Sequence, residues 1–396
     1  MSKRTIPHYV CGVIPHHILT RLAEQTDPIT DEASANARAT LEHMRELATG
    51  QAVTSLIGRP AARAAAVRPQ RKRRNVYDAH HQFRLSGKLA MSNHTARSTD
   101  VEVTEAYDGS GATYEFFAKV FRRNSIDGRG MRIDSTVHYG TRFENALWNG
   151  RQMVYGDGDG RIFKRFTASL DVIGHELTHA VIQHAAALGY AGQTGALNEH
   201  LADAFGSMVK QYTLGQSAHE ADWAIGANIL GPDVQGHAVR SLAFPGTAYD
   251  DPVLGRDPQP SHMRDYVVTT DDHGGVHINS GILNHGFYLA AMAMEGKTWE
   301  VLGRIWYAAL TSRLKPEADF ADFTRATVDI AGELYGNGSR VQMILVEAWS
   351  DVGLPVSFFP AVRTGAKGRL SVRRSRPAER PSTNNQLKHS KRRTTP

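Results

Sequence analysis

The stretch His175-Glu176-Leu177-Thr178-His179 decides how the rest of the chain is read. It has the form H-E-x-x-H, which holds a zinc ion and sets a carboxylate beside it. A helix turns about 100° per residue, so residues four apart share a face. His175 and His179 can therefore point at a single ion. Glu176 lies next to that face, close enough to work on a zinc-bound water without ligating the metal. The flanks suit a buried helix. Asp171 opens it, and Leu170, Val172, Ile173, Leu177, Ala180, Val181 and Ile182 supply apolar surface. A chance match on a core helix is the alternative, so the surrounding chain has to decide.

The chain has 396 residues, enough for two or three structural units with a sizeable core. Hydrophobic residues make up 41% and charged residues 22%, the balance of a globular protein. No apolar run approaches a membrane span, so no membrane partner is expected. Met1 to Val10 carry basic residues but no apolar h-region, so no ordinary secretory signal is visible. Cys11 is the single cysteine, which rules out an internal disulfide framework. The net charge of +6 is unevenly spread. Between Arg363 and Arg393 stand eleven Lys or Arg and one acid, Glu379, which leaves the rest of the chain near −4. Residues 358–396 read as a basic, disordered tail. Nucleic acid is not expected as a partner beyond weak contacts of that tail.

Residues 1–50 read as a small unit, with helical periodicity over 18–24 and 33–48. Residues 51–74 are rich in Ala, Arg and Pro, ending in Arg68-Pro69-Gln70-Arg71-Lys72-Arg73-Arg74, and read as an exposed, cleavable linker. Residues 75–190 read as a β-rich lobe that includes the H-E-x-x-H helix, with strands expected at Val101–Thr104 and Met131–His138 and a helix over 106–121. Residues 191–357 read as a helical lobe. The expected fold is therefore α+β and two-lobed, with the H-E-x-x-H helix central.

A zinc hydrolase needs three protein ligands and one open position. Glu199 follows His179 by twenty residues, within Gly195-Ala196-Leu197-Asn198-Glu199-His200-Leu201-Ala202-Asp203. Glu199 and Asp203 are four apart on a helix that is otherwise apolar, where an unpaired acid pair would be costly. Glu199 is the natural third ligand. Asp203 can accept a hydrogen bond from a ligand histidine and fix its tautomer.

Several further motifs occur in order: Asn145-Ala146-Leu147-Trp148-Asn149-Gly150, Tyr155-Gly156-Asp157-Gly158-Asp159-Gly160, and Gly274-Gly275-Val276-His277-Ile278-Asn279-Ser280-Gly281. With these, residues 75–355 resemble the thermolysin-like zinc metallopeptidases. The short N-terminal unit resembles the protealysin-like branch. The resemblance implies one zinc ion held by His175, His179 and Glu199, with Glu176 as general base. It implies that His277 and Tyr190 stabilise the oxyanion and that Asp272 orients His277. Arg240 would hold the substrate carbonyl beyond the scissile bond, and Asn145, Ala146 and Trp148 would pair with the peptide backbone. Phe163, Phe166, Val172, Ile225 and Val239 would wall the pocket for the residue after the cut. All five are apolar, so the expected activity is endopeptidase cleavage of proteins or peptides before a hydrophobic residue.

The chain departs from the family in two places. Calcium-stabilised relatives carry a double calcium site. Asp171 and Asp222 match it, but Lys210, Ala224 and Ala227 replace its other carboxylates. A hard cation needs several oxygen ligands, so no double calcium site is expected. Asp157-Gly158-Asp159-Gly160 begins like an EF-hand loop, yet position twelve would be Ala168, so it reads as a turn. Second, Cys11-Gly12-Val13-Ile14-Pro15-His16-His17-Ile18-Leu19 resembles the branch's propeptide motif, with His16 where a second proline is usual. The N-terminal segment would lie in the cleft as an intramolecular inhibitor until cut near 51–74. Cys11, His16 and His17 carry zinc-ligand chemistry. Two other classes stay open: a catalytically silent metalloprotease-fold binding protein, and a nucleic-acid-associated protein that works through its tail. The resemblance tilts localisation to extracellular, by non-classical export; a Cys-poor chain without a visible leader fits the cytoplasm as well.

Overall fold

A computed structural model describes residues 10–26, 31–49 and 70–357. The basic tail, and most of the linker expected at 51–74, lie outside the described residues. The first elements among the described residues are a two-residue strand, β1 (Cys11–Gly12), and two helices, α1 (His16–Ala23) and α2 (Asp31–Thr49). Strands β2 (Arg74–Asp78) and β3 (Lys88–Ser92) precede α3 (Val101–Phe121). Then come β4 (Ile133–Val137), β5 (Ala146–Trp148) and β6 (Met153–Tyr155). Helices α4 (Leu170–His184) and α5 (Gly192–Leu214) follow, then two small ribbons, β7 (Ala224–Ile225) with β8 (Arg240–Ser241) and β9 (Asp250–Asp251) with β10 (Gly255–Arg256). Helices α6 (Asp272–Met294), α7 (Leu302–Ser312), α8 (Phe320–Tyr335) and α9 (Arg340–Asp351) complete the C-terminal part.

Six strands form one sheet in the order β1-β5-β6-β4-β2-β3. The centre is parallel, β2 with β4 and β4 with β6, while β3, β5 and β1 pair antiparallel at the flanks. The two-lobed α+β arrangement is thus the observed one: sheet first, α4 central, helices after it.

One expectation is corrected. Val101–Thr104 is not a strand but the first turn of α3. The Val-Glu-Val-Thr alternation suits a strand locally. It loses to the carboxylate of Asp100, which accepts the Val103 N–H at 3.1 Å and caps the helix. Val103, Ala106, Ser110, Thr113 and Phe117 then fall on one buried helical stripe. The second difference lies at α6. This helix of the C-terminal lobe carries a break near its start, with His273, Gly274 and Gly275 all at positive φ. That break turns Asp272 back under the first true helical turn. Just past the Asp157–Gly160 stretch the chain is held by a side chain: Asp159 Oδ1 accepts the N–H groups of Arg161, Ile162 and Phe163 at 2.8, 2.7 and 3.2 Å.

The core of the helical part is aromatic. Trp306, Trp349, Phe287 and Phe323 are fully buried and meet at centroid distances of 5.1 to 5.9 Å. No described helix is long and apolar enough to cross a membrane.

Candidate active site

Helices α4 and α5 cross closely enough that a Cβ on Gly206 would sit 2.6 Å from the Asp171 carbonyl oxygen. Only glycine allows that approach, and it sets Glu199 and Asp203 opposite the two histidines. His179 Nε2 lies 3.1 Å from His175 Nε2. Glu199 Oε2 lies 3.4 Å from His175 Nε2, and Glu199 Oε1 lies 3.4 Å from His179 Nε2. Zinc bonds of about 2.0–2.1 Å at tetrahedral angles put ligand atoms about 3.3 Å apart. The three residues therefore fit one zinc ion without rearrangement. Both rings are steadied from behind. Asp203 Oδ1 is 2.8 Å from His175 Nδ1, and Asn198 Oδ1 is 3.0 Å from His179 Nδ1.

Glu176 is fully buried beside this trio, and its Oε2 accepts the Trp148 N–H at 3.0 Å. Burial, with the Glu199 charge, pushes its carboxyl well above the ordinary range, against the pull of the Trp148 and Val13 N–H groups. Glu199 responds oppositely. Burial would raise it, but His277, His179 and His175 outweigh burial and bring it down to about 2. Asp203 is held well below its usual range: the cost of burial is outweighed by Arg240 and His175.

The break before α6 brings Asp272 and His277 together, and the loop between α4 and α5 supplies Tyr190. Asp272 Oδ2 accepts the His277 backbone N–H at 2.8 Å, and Oδ1 lies 2.7 Å from His277 Nδ1. The ring's Nε2 then faces the trio, 3.4 Å from Glu199 Oε2 and 3.4 Å from the Tyr190 hydroxyl. Tyr190 also donates a short hydrogen bond to Glu199 Oε1. Burial would lower the His277 pKa, but the Asp272 and Glu199 carboxylates outweigh it and raise it.

Across the trio, Asn145, Ala146 and Trp148 lie on the edge of the sheet, and that edge is covered. Cys11 pairs with Trp148 and Gly12 with Leu147, antiparallel. The Val13 N–H donates to the Ala146 carbonyl at 3.1 Å. Asn145 clamps Ile14 with its side chain, Oδ1 accepting the N–H at 3.0 Å and Nδ2 donating to the carbonyl at 3.1 Å. Arg240 holds Asp203 with Nε and Nη2, each at 2.9 Å, and turns Nη1 onto the Val13 carbonyl at 2.8 Å. The N-terminal segment thus runs along the cleft as an added strand. Val13, Ile14, Ile18, Leu19 and Leu22 are all fully buried. His16 and His17 are not part of the metal-ligand cluster. The His16 ring meets Thr20 Oγ1 at 3.2 Å. Both help to line a cavity of about 660 Å³ that also touches Thr270 to His273. Phe163, Phe166, Val172, Ile225 and Val239 are all buried. Ile225 and Val239 meet across the β7–β8 ribbon next to Arg240, the Val239 N–H donating to the Ile225 carbonyl at 2.9 Å.

Two contributors escaped the sequence reading. Asn198 stands inside the quoted Gly195–Asp203 stretch, one residue before a ligand, which is the available hint. Gln259 donates to the His277 carbonyl at 2.7 Å from a loop that carries no motif.

Comparison with known proteins follows the same outline. The family described as thermolysin metallopeptidase, catalytic domain, matches residues 64–183, and thermolysin metallopeptidase, alpha-helical domain, matches 186–354. The chain is 47% identical to the extracellular metalloprotease of Pectobacterium carotovorum subsp. carotovorum, over 88% of this chain and 97% of that one. It is 41% identical to protease PrtS of a Photorhabdus species (strain Az29), over 87% and 92%. Among solved structures, the precursor of protealysin, a metalloproteinase from Serratia proteamaculans, superposes with a TM-score of 0.77 at 44% identity, over 87% of this chain and 99% of that one.

Proposed function

Since the chain belongs to the thermolysin family of zinc metallopeptidases, we propose that it is made as a precursor shut by its own N-terminal segment and, once freed, cuts proteins or peptides before hydrophobic residues. It is a zinc metalloendopeptidase with His175, His179 and Glu199 as the metal cradle. One observation carries the finer reading. The Val13 N–H lies on the Ala146 carbonyl while the Val13 carbonyl lies on Arg240. That is how a substrate residue just beyond the cut would be gripped, and Val13 is apolar, as the five pocket residues require.

Zinc, when bound, supplies a Lewis acid that polarises water and the peptide carbonyl. The protein's own groups do the rest. Glu176 takes a proton from the attacking water and passes it to the departing nitrogen. His277 Nε2 and the Tyr190 hydroxyl donate to the charge that grows on the carbonyl oxygen. Asp272 holds the His277 ring so that its donor faces inward. Asp203 does the same for His175 and also anchors Arg240, so one carboxylate ties the metal cradle to the substrate grip. The family's double calcium site is replaced by an ion pair: Lys210 Nζ lies 2.8 Å from Asp171 Oδ2 and 2.7 Å from Asp222 Oδ2. An ammonium there repels a cation, so one zinc and no double calcium site is the reading. Action outside the cell is proposed from the relative named as extracellular.

Zinc content and peptide cleavage should be measured for wild type and Glu176→Gln. The variant should keep its zinc and lose about 10²- to 10⁴-fold in rate. Equal rates would overturn the mechanism. Mass spectrometry of the active enzyme tests the latch, because full-length chain at full activity would sink it.

A further inference from the structure

The parallel strands β2, β4 and β6 end at the same rim of the sheet. The residues just past those ends include His81, His138 and Asp157. His81 Nδ1 lies 3.2 Å from Asp157 Oδ2. His138 Nδ1 lies 3.0 Å from the same oxygen. One ligand atom from each of the three residues falls within 4.8 Å of the others. The two histidines are locked to each other through the backbone, the His81 N–H donating to the His138 carbonyl at 2.9 Å. Both sit in the left-handed region, at φ 58° and 52°.

The far side of the His138 ring completes the pattern. Its Nε2 is 3.0 Å from Asp100 Oδ2, the carboxylate that also caps α3. An outer carboxylate on one ring nitrogen is the usual support for a histidine whose other nitrogen binds a metal. The catalytic cradle has the same build, with His175 backed by Asp203. Charge points the same way. Asp157, Asp100 and Glu102 surround one partly buried imidazole, with Asp100, Glu102 and His138 forming a second group of potential ligands. A proton on His138 offsets one of three carboxylates; a divalent ion offsets two. Two imidazoles and one carboxylate suit zinc and its neighbours rather than calcium or magnesium, which prefer all-oxygen shells.

We propose that His81, His138 and Asp157 form a second divalent transition-metal site, with Asp100 holding the His138 ring from behind. The His81 side chain is 61% exposed, against 14% for His138 and 22% for Asp157, so an ion enters from solvent and keeps water in its open positions. All of its ligands lie outside the N-terminal segment, so the site is present before and after activation. It would staple the ends of three strands together.

The test is equilibrium dialysis of the full-length protein against zinc, with metal analysis per chain. Wild type should hold two zinc ions. His81→Asn should hold one and cleave peptide as wild type does once activated; asparagine tolerates positive φ, so the loop keeps its shape. Asp157→Asn should also hold one. Asp100→Asn, which still caps α3, should hold two but bind the second about 10- to 100-fold more weakly. A single zinc in wild type overturns the site. So does a second zinc that survives in His81→Asn, because it then belongs to some other surface histidine.

Discussion

Gly12 is a single residue on which the closed state depends. A Cβ built there would stand 2.5 Å from Cγ and Oδ1 of Asn145. Asn145 cannot swing away cheaply, because the same amide grips both backbone groups of Ile14. Overlap of this kind costs about 1–3 kcal/mol, or roughly 10- to 100-fold in affinity. A peptide of residues 1–50 carrying Gly12→Ala should therefore inhibit the activated enzyme about 10- to 100-fold less well than the native peptide. Identical inhibition constants would refute the assignment. His17 gives the latch a pH dependence. Its ring is buried with both nitrogens lacking a hydrogen-bond partner among the described residues. Burial brings its pKa down to about 4, despite the Asp272 carboxylate and with His277, Arg240 and His16 pushing the same way as burial. The docked form thus holds His17 neutral, whereas the released form takes a proton near its ordinary 6.5. Docking is strongest above that value and weakens as pH falls from 6.5 toward 4. Inhibition by the 1–50 peptide should fade over that window, and the fade should be shallower with His17→Phe. Parallel profiles for the two peptides would rule His17 out. The two histidines of the zinc trio were legible because i, i+4 spacing is a local property of one helix. Glu199 was legible because a second helix repeats that spacing in an apolar setting. Tyr190, Asp272 and Arg240 carry no such local signature. Asp272 is brought in by the break before α6, Arg240 by a two-strand ribbon and Tyr190 by the loop between α4 and α5, and only the family pattern singles them out.

Helix α4 enters the site with a buried acid in its first turn. Asp171 accepts from Ser169 Oγ at 2.7 Å and from the Gly226 N–H at 3.1 Å, and pairs with Lys210 on α5. Lys210 also reaches Asp222 in the loop before β7, so one ammonium ties two helices to the ribbon that carries Arg240. Removing one partner of a buried pair costs about 3 kcal/mol. Lys210→Met should lower the thermal midpoint accordingly, and added calcium should leave the wild-type midpoint unchanged. A calcium-dependent rise of several degrees in wild type would overturn the proposal that no double calcium site is present. This lysine was readable as a departure from pattern before any geometry was known. The start of α3 was not, because Val101 to Thr104 satisfies strand alternation on its own. What overrides it is one capping carboxylate and a stripe of burial set by tertiary packing.

At the scale of the whole molecule, the N-terminal segment acts through the sheet. It supplies the outermost strand, β1, and five fully buried apolar side chains, each contributing about 1.5–3 kcal/mol of transfer free energy. Cutting the linker alone would leave those contacts intact. When the segment does leave, β5 becomes the margin of the sheet, with its N–H and C=O groups open to a new strand. Whatever binds next is recognised first by its main chain. A compact protein, whose peptide groups are already paired, has nothing to offer this margin. A loop, a frayed terminus or an unfolding chain does. Proline just beyond the cut should fail as well, since it has no N–H for the Ala146 carbonyl, and a peptide series varying that residue should show cleavage for Val, Leu, Ile and Phe but none for Pro. The covered edge thus predicts an enzyme that samples how folded its surroundings are, cutting a protein after it has lost its shape faster than before, which a cleavage assay of one protein in folded and unfolded form would check.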